Sequence, residues 1–96
     1  MEVSDLRTFM AVMETGSISH AAKALHRVPS GVTARIMLME EELGIQLFLR
    51  EKKRLLPTAR GQTLYTYARR ITALVDEAEL CVRGMEPGGR LRIGAL

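Results

Sequence analysis

Two short helical patterns with a three-residue break between them constrain this chain more than any other feature. Ile18–Leu25 reads I-S-H-A-A-K-A-L, and Pro29–Leu43 reads P-S-G-V-T-A-R-I-M-L-M-E-E-E-L. The first is alanine-rich on the face formed by Ile18, Ala21, Ala22 and Leu25. The second is apolar at Val32, Ile36, Met39 and Leu43, spaced by 4, 3 and 4 residues, which is a helical period. Only His26, Arg27 and Val28 separate them. Helices joined this tightly cross steeply, and alanines at the crossing let the two backbones approach. That arrangement presents the second helix to the major groove of DNA. The pattern predicts a helix-turn-helix over about 18–37.

The flanking segments complete a small, mainly α domain. A helix is expected from about Asp5 to Thr15, capped by Ser4, with Leu6, Phe9, Met10 and Met13 on its buried face. Gly16 supplies a left-handed stop, and Ser17 caps the next helix. Pro29 suits a first helical position, because its missing N–H would be unpaired there. Gly44 closes that helix. Glu40, Glu41 and Glu42 fall in its last turn, where the helix dipole disfavours negative charge, so they read as a solvated end. Residues 46–57 read as a short hairpin. Leu47 and Phe48 are its core anchors, Glu51–Lys53 its polar turn, and Pro57 its end, since proline cannot donate to a ladder. A hairpin after a helix-turn-helix is a wing.

Charge is distributed unevenly. The chain has 96 residues and a net charge of +3. Its basic excess gathers at the hairpin, in Arg50, Lys52, Lys53, Arg54 and Arg60 against Glu51 alone. A local basic cluster beside a helix-turn-helix suggests a phosphate-facing patch. By itself the cluster is equally consistent with a solvated loop.

Thr58 is placed to cap a long final helix running to about Met85. Leu64, Ala68, Ile71, Val75, Ala78, Val82 and Met85 recur at 4, 3, 4, 3, 4 and 3 residues. Three heptads of that pattern predict a dimerisation seam of the coiled-coil kind. The competing reading is that this helix packs back on its own domain. Leu74 and Cys81 widen the apolar stripe beyond a two-helix seam. Pro87-Gly88-Gly89 then breaks the helix, and Arg90–Leu96 is strand-like with no evident partner, as though it opened a further domain.

Other chemistries find little support. One cysteine forms no intrachain disulfide. No stretch approaches the about 20 apolar residues of a membrane span, and the N-terminus lacks the pattern of a secretory signal. A cytoplasmic protein is expected. His20 and His26, six apart, do not share a helical face, and no acidic or thiol cluster completes a metal site. No nucleophile–base pair or Gly-rich phosphate loop is present, so an enzyme is not expected. An interaction module, with the heptad helix binding a partner and the small domain as scaffold, is the alternative to a DNA reader.

Taken together, several short motifs are more specific than any of these patterns alone. They are L-R-x-F across 6–9, E-x-G-S across 14–17, A-A-x-x-L across 21–25, V-T at 32–33, I-x-x-M-E at 36–40, L-G-x-x-L-F-x-R across 43–50, and T-x-x-G across 58–61. With these, the chain resembles the N-terminal DNA-binding domain of LysR-type transcriptional regulators. The terminal L-R-I-G-A resembles the strand that opens that family's effector-binding domain. The resemblance implies a winged helix-turn-helix over residues 1–58, a dimerising linker helix over 59–86, and a hinge with the first strand of a missing effector domain over 87–96. It also implies a bacterial, nucleoid-associated homodimer on an inverted repeat of double-stranded DNA, and a tetramer for the longer protein. This part needs no cofactor in that reading, and a small-molecule effector binds the missing domain.

The chain departs from the family at the start of the reading helix. Val28-Pro29 stands where Ser-Gln is frequent, Gly31 where Ala is commoner, Ala34-Arg35 where Arg-Gln is common, and Arg60 where Ala is common. Pro29 has no side-chain amide to offer a base edge, so the family's base preference does not transfer. The candidate reading residues are Pro29, Ser30, Gly31, Thr33, Ala34 and Arg35, with Met37 also turned outward. Arg35 is the helix's one long basic donor. It is placed either to read guanine or to clamp a phosphate, since Leu38 and Met39 give it no acidic partner within the helix. Ser17, Arg50, Lys52, Lys53 and Arg54 are the candidate backbone and minor-groove contacts.

Overall fold

A computed structural model of the chain describes residues 1–52, 54–86 and 90–91. Among the described residues, four helices and two antiparallel strand pairs follow in the order α1 (Val3–Thr15), α2 (Ile18–Ala24), α3 (Pro29–Leu43), β1 (Phe48–Glu51), β2 (Arg54–Pro57), α4 (Ala59–Val82), β3 (Met85–Glu86) and β4 (Arg90–Leu91). This is the expected mainly α, winged helix-turn-helix with a long C-terminal helix.

Helix α1 starts earlier than the sequence suggested, and Ser4 is not its cap. The N–H of Glu2 donates to the Asp5 carboxylate at 2.9 Å, and the N–H of Asp5 donates to the Glu2 carbonyl at 3.0 Å. This satisfies the free N-terminal groups two residues upstream. Gly16 ends the helix at φ 69°, donating to the Val12 carbonyl, as expected. Val12 is fully buried and was not foreseen; Met10 and Met13 are only partly buried.

The helix-turn-helix forms where the pattern put it. Ser17 caps α2 by accepting from the N–H of His20 at 3.3 Å. Ala21 and Ala22 are buried at the crossing. The turn passes through His26 at φ 57°, a left-handed conformation uncommon outside glycine. Helix α3 buries Val32, Ile36 and Met39; Leu43, expected on that face, is exposed. Phe9 and Phe48 meet with ring centroids 5.5 Å apart and join the wing to this core.

The segment around Leu47 ties three elements together. The N–H groups of Leu47 and Phe48 donate to the Glu40 carboxylate at 2.8 and 3.3 Å. The Leu47 carbonyl accepts from the Thr58 N–H at 2.9 Å, and the Thr58 hydroxyl donates to the Gln46 carbonyl at 2.7 Å. Thr58 caps α4 as expected, accepting from the Gly61 N–H at 2.9 Å. Glu40 is thus no solvated end: it holds the wing's entry strand. Glu42 also differs from expectation, accepting from the N-terminal amine at 2.9 Å. Glu41 remains exposed.

Helix α4 runs antiparallel along α1. Arg7 pairs with Asp76 at 3.0 Å, Tyr65 donates to Glu14 at 2.9 Å, and the Thr72 hydroxyl contacts the Met10 sulfur at 3.6 Å. The helix ends at Val82. Met85, expected at the last heptad position, is in β3 instead, paired with Leu91. Arg90–Leu91 therefore has an intrachain partner, contrary to the expected lone strand. Residues 87–89 and 92–96 of the expected hinge and strand lie outside the described residues.

Gly61 provides a direct check on the junction. A Cβ built there would lie 2.3 Å from the Leu47 carbonyl oxygen, a backbone atom that cannot move alone. Gly61→Ala is expected to destabilise the chain by about 1–3 kcal/mol, read as a lower urea midpoint; an unchanged midpoint would show that α4 is not seated there.

Candidate nucleic-acid interface

The amphipathic period of α3 decides which residues it can offer. With Val32, Ile36 and Met39 inward, Ser30, Ala34 and Met37 form the outward stripe. Pro29, Ser30, Ala34 and Met37 are all exposed. Thr33 is half-buried on the flank facing the wing, where it lines a depression with Ile18, Met37, Leu49, Arg50 and Leu55. Gly31, Ala34 and Arg35 line a different depression, with Met1, Asp5 and Glu42 beside the start of α1. A Cβ at Gly31 would meet only Val28 Cγ2 at 3.6 Å, so packing within the chain does not demand glycine there.

Arg35 is the main correction among the reading residues. Its guanidinium bonds the Asp5 carboxylate at 2.5 Å and the Ser4 hydroxyl at 3.4 Å. Helix α3 itself offers Arg35 no acid three or four residues on, and the acid it meets stands on α1. In this structure Arg35 braces α1 against α3 and points away from the wing. Asp5 is held below the ordinary carboxylate value, first by the backbone hydrogen bond from Glu2 and then by Arg35.

The wing sets its basic groups on the other flank of α3. The strands pair in register Phe48↔Pro57, Leu49↔Leu56, Arg50↔Leu55 and Glu51↔Arg54. Pro57 closes the ladder as expected, and Glu51 belongs to a strand, not to the turn. Alternation puts Phe48 and Arg50 on one face. Phe48 enters the core, so Arg50, farther out, overhangs the start of α2 beside Gly16, Ser17 and Ser19. Lys52 sits at the tip with φ 48°. Arg54 is exposed on β2, and Lys53 lies outside the described residues. Ser17, Thr33, Met37 and Arg50 are therefore brought to one concave side, and Arg35 is not.

The seam drawn along α4 straddles two faces. Ala68 is fully buried within its own chain, and Leu64 packs on the same core, so neither forms a free seam. Val75 is half-buried, while Ile71, Ala78 and Val82 are exposed. The cause is α1, which covers the edge of the stripe bearing Tyr65, Ala68 and Thr72. The apolar face left outward is Tyr67, Ile71, Leu74, Ala78 and Val82, with Leu74 at 64% exposure.

A helix-turn-helix, a basic wing and an extended helix with an uncovered apolar face define the architecture of a winged DNA-binding domain. The sequence profile of the family described as bacterial regulatory helix-turn-helix protein, lysR family, matches residues 3–62, and the chain belongs to that family. It is 45% identical over 97 residues to the HTH-type transcriptional regulator YofA of Bacillus subtilis strain 168, covering 100% of this chain and 34% of the relative. The chain thus spans about a third of that regulator's length. Among solved structures it is similar to the CbnR DNA-binding domain in a DNA complex, with TM-score 0.82 and 34% identity over 86% of this chain and 95% of that one. It is also similar to the BenM DNA-binding domain on catB site 1 DNA, with TM-score 0.84 and 35% identity over 86% of this chain and 93% of that one.

The Arg35–Asp5 brace has a pH signature. A carboxyl whose value is depressed on folding adds stability above its unfolded value of 3.8 and loses it as pH falls through the lower folded value. Asp5→Asn should lower stability at pH 7 by about 1 kcal/mol, since the pair is only half-buried. In denaturant melts the gap between the two chains should close below pH 3.8; a gap independent of pH would remove the ion pair from the account.

Proposed function

We propose that this chain is the DNA-binding part of a bacterial transcriptional regulator, acting as a homodimer on a two-fold-related site in double-stranded DNA. Helix α3 enters the major groove, and the wing lies on the backbone or in the adjacent minor groove. The observation that carries this reading is the convergence of Thr33 and Met37 of α3 with Arg50 of the wing on one side of a fold shared with domains solved in DNA complexes. Ser17, Arg50, Lys52 and Arg54, together with Lys53, supply the backbone contacts. Pro29, Ser30, Thr33 and Ala34 approach the bases.

Dimerisation uses the outward face of α4, where Ile71, Ala78 and Val82 of the seam drawn from sequence are joined by Leu74, while Leu64 and Ala68 belong to the chain's own core. In this reading the DNA-binding part needs no cofactor. In the same reading, a longer protein carrying this part assembles as a tetramer and answers to a small-molecule effector outside these residues. Its location in this reading is the cytoplasm, on the nucleoid; among the described residues no helix is long and apolar enough to cross a membrane.

Two measurements test this. Each phosphate contact adds about 0.9 to the slope of log affinity against log salt. Replacing Arg50 and Lys52 together with Ala removes four such contacts per dimer, and should therefore weaken binding to all duplexes and flatten that slope by about 3.6; an unchanged slope would take the wing off the DNA. Leu74→Asp puts an unpaired charge in the dimer face. It should sediment as a folded monomer and bind a two-fold site at least about tenfold more weakly. A persistent dimer would place the interface elsewhere, and dimerisation with no DNA affinity would favour an interaction module.

A further inference from the structure

The reading face of α3 is unusual in what it lacks. Guanine is distinguished in the major groove by donors to N7 and O6, most often from arginine or lysine. Adenine is distinguished by the bidentate amide of asparagine or glutamine. Neither kind of group stands on α3's own outward stripe or wing-side flank; the amide of Gln46 and the guanidinium of Arg50 border the depression beside Thr33 and Met37 only from the segment beyond α3. Pro29 carries no donor, Ala34 a methyl, Met37 a thioether, and Ser30 and Thr33 short hydroxyls. The helix's one guanidinium is turned to the opposite flank and bonded to Asp5 and Ser4.

What the face does present is apolar. Met37 is 61% exposed one turn beyond Thr33, and both line the depression that Leu49 and Arg50 close from the wing. An unbranched thioether adapts to the surface it meets. Thymine is the base that offers the major groove an apolar group, its C5-methyl.

We infer that this chain reads its DNA site through thymine methyl groups, packed against Met37 and the Thr33 methyl, while Arg35 serves as a positioning residue and not as a guanine reader. The inference rests on the proposed entry of α3 into the major groove. Burying one methyl corresponds to roughly a fourfold gain in affinity per contact. The hydroxyls of Ser30 and Thr33, which can donate or accept, add little discrimination of their own.

The test starts from a duplex selected with the 96-residue chain out of random sequences. Each thymine is then replaced by deoxyuridine, which keeps the base pair and removes only the methyl. Thymines under α3 should each lose roughly three- to fivefold in affinity. Met37→Ala should bind the thymine duplex correspondingly more weakly and respond less to uracil at one of those positions. Uracil duplexes that bind as tightly as thymine duplexes would overturn the inference. So would losses that follow 7-deazaguanine, which removes the N7 acceptor, in place of uracil. Equal affinity for selected and random duplexes would overturn the groove entry itself, an outcome distinct from tolerance of uracil within a specifically bound site.

Discussion

The structure depends on the hydrogen-bonded junction at Leu47. One buried residue takes its donor's partner from α3, through Glu40, and gives its carbonyl to the start of α4, through Thr58. Gly61 is pressed so close to that carbonyl that a methyl group would collide with it. Buried amides and carbonyls need partners, and here the partners come from two different helices. The wing's first strand, α3 and α4 are thereby fixed in one relative orientation. In the proposed dimer, two copies of α3 meet a two-fold site together only if that orientation is rigid, so the junction links packing within one chain to geometry between two.

Helix α4 carries two jobs on adjoining faces. One face closes the small domain's core: Ala68 and Thr72 are buried, and Thr72 bonds back to the Ala68 carbonyl at 2.9 Å. The adjoining face keeps Ile71, Leu74 and Val82 in solvent. Small cores gain stability from pairing, and covering this face would supply it. Mutations on the two faces should therefore separate: changes at Ala68 act on folding, and changes at Leu74 on assembly.

Much of this was legible in the sequence where a local rule governs. The inward face of α3 followed from the spacing of Val32, Ile36 and Met39. Gly16, Ser17 and Thr58 announced their helix ends, and Pro57 closed the hairpin, because each acts on neighbours within a few residues. What stayed hidden was tertiary. Glu40 looked solvated because its partners, the N–H groups of Leu47 and Phe48, belong to a strand that must first fold back. Arg35 looked free because Asp5 lies 30 residues away on another helix. The heptad pattern from Leu64 to Val82 found the apolar side of α4 but not its division, since only α1's position decides which edge is already covered. At the candidate site, the period of α3 already turns Met37 outward, whereas Arg35's position depends on Asp5 of another helix.

The most direct measurement of the central claim is the change in backbone amide NMR shifts of the chain on adding a specifically bound duplex. The account expects the large changes at Gly16–Ser19, from Ser30 to Met37 along the reading helix, and at Arg50–Arg54 in the wing. Changes confined to Met1–Asp5 and Leu38–Glu42, or to the outer face of α4, would contradict it.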